Sequence, residues 1–238
     1  MSVATARAEL NGPTQAKRSS VIACFAAGVG CVALLRVLRW ISDQLALSLA
    51  RPGSIPEAWW LVDRRATTFA IRELVAFALF ALFLRRRGLR LVDLGFRTAG
   101  TRTAWAVALA VLVLGLASHP FVRSGPYAPT FYSLYAALAI GIPVALLEES
   151  VFRGFAITTL QAAGFGAPAQ ILLSGFLFGL VHVAYVATDW TVPLFTGVLG
   201  CIWSWIYIKG GNSLWPTLVA HAINDAVIMP YFYVHGVY

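Results

Sequence analysis

The chain has 238 residues, of which 59% are hydrophobic and 12% charged, and its formal net charge is +8. This composition is too apolar for an ordinary soluble domain, and lipid excludes open sheets because backbone polar groups must be bonded internally. A barrel is disfavoured because the apolar runs are continuous rather than alternating. We therefore predict an all-α, polytopic transmembrane bundle of about seven helices, or eight.

The predicted elements begin with a disordered tail over residues 1–18, followed by a single transmembrane helical domain over 19–238. Apolar segments of spanning length predict helices at about 20–35, 68–84, 103–118, 131–161, 168–187, 191–208 and 214–234. Residues 51–66 are interpreted as a loop. The Arg-rich stretch 85–90 indicates a cytoplasmic loop and an internal N-terminus, although Arg51, Arg64 and Arg65 contradict the positive-inside rule.

The positive charge and the cysteines are both given structural interpretations. The Arg residues lie between apolar spans, so we expect them to orient the chain and contact lipid headgroups, and we expect no nucleic-acid partner. Cys24, Cys31 and Cys201 lie in apolar spans without a CxxC pair, which is typical of small buried hydrophobes. We expect no disulfide framework, no metal and no cofactor.

Two adjacent carboxylates, Glu148 and Glu149, follow a run of uncharged residues over 124–147. A charge at this depth costs about 2.5–3.5 kcal/mol and indicates a functional site by default. Glu149 and Arg153 are four residues apart on one helix face and can pair. Glu148 lies about 100° round the helix, so it remains available as a general base. The alternative is a structural ion pair with a polar neighbour.

Small residues favour close helix contact on both sides of this site. Gly141 shares the face of Glu148, and Gly175 and Gly179 form a GxxxG pattern in the next span. Phe178 and His182 share a face of that span. An antiparallel hairpin places His182 level with Glu148, since both lie about 21 Å from the turn near 162–168. A simple interhelical hydrogen bond is the alternative interpretation of this histidine.

The third candidate segment is His221 and Asp225, one helical turn apart on one face. The pattern favours a histidine oriented by a carboxylate, although a self-satisfied His–Asp pair remains an alternative. His221 lies about seven residues past the turn near 209–213. Regular helix geometry therefore places it about 10 Å shallower than Glu148, unless the hairpin over 154–168 projects beyond the bilayer.

These segments together resemble the CAAX-protease and bacteriocin-processing (Abi) family of intramembrane glutamic endopeptidases. The matching motifs are Glu148-Glu149-x-x-x-Arg153-Gly154, Phe178-x-x-x-His182 and His221-x-x-x-Asp225, with Ser213-Leu214-Trp215-Pro216 as a similar lead-in. The resemblance covers about residues 131–230, which we take as the catalytic core. It implies an integral, multi-pass enzyme, and we expect it in the cytoplasmic membrane of a prokaryote.

The resemblance implies that Glu148 activates a water against a peptide carbonyl with help from His182, while His221 and Asp225 steady the oxyanion. An ionised Asp cannot donate a hydrogen bond, so Asp225 is either protonated or orients His221. We favour the second, with Asn224 as a possible substitute donor. The supporting residues are Glu149, Arg153, Phe178 and Asn224.

Three functions compete at this stage. The leading hypothesis is an intramembrane endopeptidase that cuts a membrane-associated peptide or protein near the bilayer surface. The second is a zinc protease that uses Glu148, His182 and His221 as ligands. The third is a non-enzymatic membrane protein, either a proton-coupled transporter or a scaffold, because buried Glu–His chains also relay protons.

Overall fold

The computed structural model describes residues 13–49, 57–118, 131–183 and 190–234. Within these ranges, side chains are described except those of 13–17, 42–49, 57–65, 131–133, 136 and 229–234. All regular structure in this part of the chain is helical, which confirms the predicted all-α class. His119, Asp189 and His235, which the sequence suggests are interfacial, lie outside the described ranges.

Seven helices form the bundle in the described part of the chain, as predicted. They are α1 (Pro13–Leu49), α2 (Glu57–Arg86), α3 (Arg102–Ser118), α4 (131–162), α5 (Ala167–His182), α6 (Thr191–Lys209) and α7 (Trp215–Val234). Helix α4 is continuous but has three parts, Phe131–Glu148, the π-helical Glu149–Phe155 and Ala156–Ala162. A short 3₁₀ helix, Leu91–Leu94, lies in the connection after α2.

The helices fit a membrane by length and exposure. Among the described residues, three segments are long and apolar enough to cross a bilayer: Arg18–Ile41, Ala66–Arg86 and Thr191–Lys209. Helices α3 and α5 are shorter and apolar. Large apolar side chains such as Leu109, Leu194 and Phe195 are exposed on the outside of the bundle. An apolar outer surface suits lipid, and the chain is a membrane protein.

Two helices begin earlier than hydropathy suggests. Helix α1 starts at Pro13, inside the segment expected to be a tail, and proline is favoured in the first helical turn. Helix α2 starts at Glu57, so the second half of the expected loop over 51–66 is helical. Hydropathy reports the apolar part of a helix, whereas backbone hydrogen bonds continue into polar flanking residues.

Three connections meet at one end of the bundle. The Leu214 N–H donates to the Gly95 carbonyl (3.2 Å), and the Asn212 amide donates to Gln161 Oε1 (3.1 Å). Gly95 has φ +108°, and a Cβ there would collide with the Asn212 carbonyl, so only glycine fits this contact. The Arg-rich connection after α2, the end of α4 and the α6–α7 turn are therefore on the same side, as predicted.

The Arg-rich connection carries its own local cap. The Arg90 N–H donates to Asp93 Oδ2 (2.8 Å), which holds the pKa of the Asp93 carboxyl below its ordinary value. This carboxyl lies far from the buried acids of the bundle in sequence and is partly exposed to solvent. Asp93 is therefore a suitable control position for variants of those acids.

Small residues allow close helix packing, as predicted from the sequence. A Cβ at Gly175 would collide with Cys201, and one at Gly179 would lie 2.9 Å from Gly197 Cα, so α5 and α6 are in backbone contact. A Cβ at Gly141 would collide with the Ala222 carbonyl and lie 2.8 Å from the Ala226 nitrogen. Gly141 therefore brings α4 against the part of α7 that carries His221.

Gly141→Ala is expected to destabilise the protein by about 1–3 kcal/mol, because the added methyl forces α4 away from the α7 backbone. Unfolding in mixed micelles measures the change. Gly30→Ala is the matched control, since a Cβ at Gly30 of α1 meets nothing within 4 Å. That substitution should be neutral or stabilising, because Ala is the better helix former. Equal stability of the two variants would contradict the tight α4–α7 contact.

Candidate active site

A π-helical segment of α4, Glu149–Phe155, forms the centre of the site, and all seven of its residues are buried. Such segments are rare and occur often at functional sites. The Phe152 carbonyl accepts a hydrogen bond from the Ser174 hydroxyl (2.7 Å), which in turn accepts one from Ser204 (2.9 Å). The widened turn is thus fixed by hydroxyls from α5 and α6, and this network anchors α4 in the bundle.

The predicted ion pair of Glu149 and Arg153 is present. Arg153 NH1 lies 3.1 Å from Glu149 Oε1, and both side chains are 0% exposed. The guanidinium also lies over the Phe178 ring, 4.2 Å from its centroid. The guanidinium and the carboxylate attract each other by charge. No Arg153 nitrogen is aligned for a hydrogen bond within the described part of the chain. Two opposite charges therefore offset each other at the centre of the bundle.

His221 connects α7 to both glutamates. Its Nδ1 lies 2.8 Å from Glu149 Oε1, and its Nε2 lies 3.4 Å from Asp225 Oδ2 and 3.7 Å from Glu148 Oε2. An ionised carboxylate only accepts hydrogen bonds, so Nδ1 is the donor to Glu149. The sequence suggested Asp225 as the orienting group. The shorter contact belongs to Glu149, which therefore pairs with Arg153 and also orients His221.

The depth difference expected between His221 and Glu148 is absent, because the two side chains are within 3.7 Å. The expected value assumed regular α-helical rise along the whole of α4. A π-helix has more residues in each turn, so residues 149–155 advance less along the axis than an α-helix would. Both side chains are also long enough to span part of the remaining separation.

His182 lies at the end of α5 beside the same aromatic ring. Its Nδ1 is 2.7 Å from the Phe178 carbonyl, and its ring centroid is 4.6 Å from that of Phe178. A carbonyl only accepts, so Nδ1 carries the proton of this hydrogen bond. The Phe178 ring also meets His221 edge-on at 6.3 Å. One phenyl ring thus contacts both histidines and Arg153.

The two adjacent glutamates differ in accessibility. The Glu148 side chain is 17% exposed and that of Asp225 is 15% exposed, whereas Glu149 is 0% exposed. The Asn224 amide donates to Asp225 Oδ1 at 3.2 Å, so the supporting Asn224 contacts the carboxylate beside it. Glu148 is therefore partly accessible from outside the bundle, while Glu149 is enclosed by its partners.

Two further polar residues belong to this region and were not assigned from the sequence. Thr217 is buried one turn before His221 on α7 and interacts with Glu149. Its i, i+4 spacing from His221 was a usable signal. Glu73 on α2 is 3% exposed and interacts electrostatically with Glu148. Its signal was a carboxylate within an apolar span, without a second motif beside it.

The described side chains do not form a metal-binding cluster. No group of three or more His, Cys, Asp or Glu among the described residues is arranged to hold a metal ion. His221 contacts carboxylates through both of its ring nitrogens, which is the environment of a hydrogen-bond donor. The zinc ligand set of Glu148, His182 and His221 therefore receives no support from the side-chain geometry.

The helical fold and the buried acid–histidine cluster define a polytopic membrane protein with a candidate acid–base site. The model of one family, described as type II CAAX prenyl endopeptidase Rce1-like, matches residues 129–227. The part of the chain that forms α4–α7 is therefore similar to the CAAX-protease family, as the motifs suggested. No curated protein and no solved structure matches the chain significantly.

Proposed function

We propose that this protein is an intramembrane CAAX-type endopeptidase in which Glu148 activates the attacking water. The observation that carries the proposal is the difference between the two adjacent glutamates. Glu149 is enclosed by Arg153 and His221, whereas Glu148 is partly exposed and lies 3.7 Å from His221 Nε2. One carboxylate therefore has a structural role and the other can reach water and substrate.

The proposed reaction is hydrolysis without a covalent intermediate. Glu148 takes a proton from water as the oxygen attacks the peptide carbonyl carbon, and the carbonyl oxygen becomes an oxyanion. When the C–N bond breaks, Glu148 returns that proton to the leaving amine. A preorganised donor beside the oxyanion stabilises this charge strongly in a site with little water. The two histidines are the candidates for that stabilisation.

The hydrogen-bond pattern suggests different roles for the two histidines. His221 donates through Nδ1 to Glu149, and its Nε2 faces Asp225 and Glu148. When these carboxylates are ionised the ring must donate on both sides, so it supplies positive charge next to the oxyanion. His182, with Nδ1 engaged by the Phe178 carbonyl, presents Nε2 to the substrate.

The proposed substrate is a membrane-associated peptide or protein, and the family description makes a prenylated CAAX terminus the first candidate. We also propose a location in the cytoplasmic membrane of a prokaryote. An apolar lipid chain suits the membrane, and the CAAX peptide would approach from the bilayer surface. No nucleic-acid partner enters this proposal.

Purified protein in liposomes is expected to cleave a fluorogenic farnesylated CAAX peptide, and the same peptide without its lipid serves as the control. Mass spectrometry of the products locates the cut. Failure to cleave this peptide and any peptide of membrane extracts, with proton-coupled transport in the same liposomes, would support the transporter hypothesis instead.

Chelation separates the two protease hypotheses. Treatment with 1,10-phenanthroline is expected to leave cleavage unchanged, because a carboxylate base needs no metal ion. Elemental analysis of the purified protein provides the second measurement. Loss of cleavage on chelation that zinc restores, together with stoichiometric zinc, would favour the metalloprotease and contradict the proposed role of Glu148.

A further inference from the structure

Helices α2 and α4 run in the same direction and pack against each other at two places. Phe69 packs with Val144 in one buried cluster, and further along the Phe80 ring lies 6.0 Å from that of Phe155. Both pairs are separated by the same number of residues in the chain. Glu73 and Glu148 are separated by that same number of residues. Along their helices they lie one turn after the first contact and two turns before the second. The packing therefore places these two carboxylates in one layer of the bundle.

Glu73 is a buried carboxyl group, and it lies outside the segment that matches the family. Its side chain is 4% exposed, and its Oε1 lies 3.2 Å from Arg72 NH2. The Arg72 guanidinium lies 4.3 Å from the Phe69 ring centroid, one turn before the Glu73 layer. Arg72 is thus the counter-charge next to Glu73, and Glu73 and Glu148 would repel each other when both carboxyls are ionised.

Five other charged or titratable groups surround the pair, on helices α1, α2, α4 and α7. Glu73 interacts with Arg72 on its own helix, Cys31 on α1 and Glu148 on α4. Glu148 interacts with His221 and Asp225 on α7, Arg153 on α4 and Glu73. Glu73 is therefore the carboxylate that α2 contributes to the surroundings of the proposed base.

We propose that Glu73 is a positioning residue whose negative charge strengthens Glu148 as a base. Before the reaction, two carboxylates repel in a medium of low dielectric constant. When Glu148 takes the proton of the attacking water it becomes neutral, and this repulsion is relieved. An interaction that improves in the transition state accelerates the chemical step. Glu73 acts through Glu148 and touches neither water nor peptide.

This inference rests on the proposed function, and the two fail in different ways. If Glu148→Gln protein still cleaves the farnesylated peptide, the assignment of the base is wrong. If Glu148→Gln protein is inactive but Glu73 variants keep the wild-type pH profile, only the role of Glu73 is wrong. A purely structural Arg72–Glu73 pair would change stability without moving the pH profile.

The first experiment measures the pH dependence of cleavage for Glu73→Gln, with Glu73→Asp as the variant that keeps the charge. We expect the acid limb of the kcat profile to move to lower pH by about one unit for Glu73→Gln. The substitution removes one negative charge near Glu148, so Glu148 binds its proton less tightly. We also expect kcat to fall several-fold with little change in KM. Glu73→Asp should resemble the wild type. An unchanged profile in Glu73→Gln would overturn the proposal.

A second measurement is independent of any substrate. Dicyclohexylcarbodiimide modifies protonated carboxyl groups in apolar surroundings, and mass spectrometry follows its addition to Glu148 at a series of pH values. Labelling should persist to higher pH in the wild type than in Glu73→Gln. The Arg72→Gln/Glu73→Gln double variant leaves no unpaired buried guanidinium, so it covers the case in which the single variant misfolds. Identical labelling profiles for wild type and the double variant would also overturn the proposal.

Discussion

Replacing Glu148 with Gln is expected to lower kcat/KM for the farnesylated peptide by about 10²–10⁴-fold, the range for losing a general base. Gln keeps the shape of the side chain but cannot accept the proton of the attacking water. Because Glu148 is partly exposed and its contact with His221 is as long as 3.7 Å, the fold should survive the change. Single-turnover cleavage assays in liposomes measure the effect on the chemical step.

The matched control is Asp93→Asn, which neutralises a carboxyl in the Arg-rich connection outside the helical core. Its cleavage rate should equal that of the wild type. Wild-type activity in Glu148→Gln protein would exclude Glu148 as the base. Equal losses in the two variants would indicate a general effect of charge removal rather than a role in catalysis.

Arg153→Met should destabilise the protein by about 3–5 kcal/mol, because it removes the guanidinium that offsets the buried charge of Glu149. Both side chains are 0% exposed, so solvent does not reach the remaining carboxylate. The stacking of the guanidinium on Phe178 is lost as well. Reversible unfolding in mixed micelles of mild detergent and SDS gives the change in free energy.

Two further variants test the cause of that loss. Glu149→Gln/Arg153→Met removes both charges and should recover part of the stability, since the two sites are in contact and not additive. Arg97→Met replaces an exposed cation of the Arg-rich connection and should change stability by less than about 0.5 kcal/mol. A double variant no more stable than Arg153→Met would show that the ion pair is not the source of the loss.

The pairing of Glu149 with Arg153 was predictable because both residues lie on one helix, where spacing of four places side chains on one face. The second role of Glu149, as acceptor for His221, depends on α7 and was not predictable from local spacing. Close contact at Gly141 was predicted, but no residue pattern indicates which helix approaches it. Packing identified α7 as that neighbour.

The position of Glu73 shows the same limit more clearly. The sequence indicates a costly charge in the second span, and its neighbour Arg72 suggests a local pair. Its position near Glu148 depends on how α2 packs against α4. Two contacts define that packing, Phe69 with Val144 and Phe80 with Phe155. Register between separate helices is a property of side-chain packing, because hydropathy is nearly the same along every span.

The sequence by itself determined the class of protein, the number of helices, and the three motifs that carry the candidate site. Those features follow from short-range rules, since apolar length specifies a span and spacing of four specifies a shared helix face. Only the tertiary structure decided that Glu149 also contacts His221, which nitrogen of each histidine is engaged, and that His221 comes within 3.7 Å of Glu148 beside a π-helical turn. These depend on contacts between helices distant in sequence, where a few ångströms of rise or rotation change the partner of every polar group.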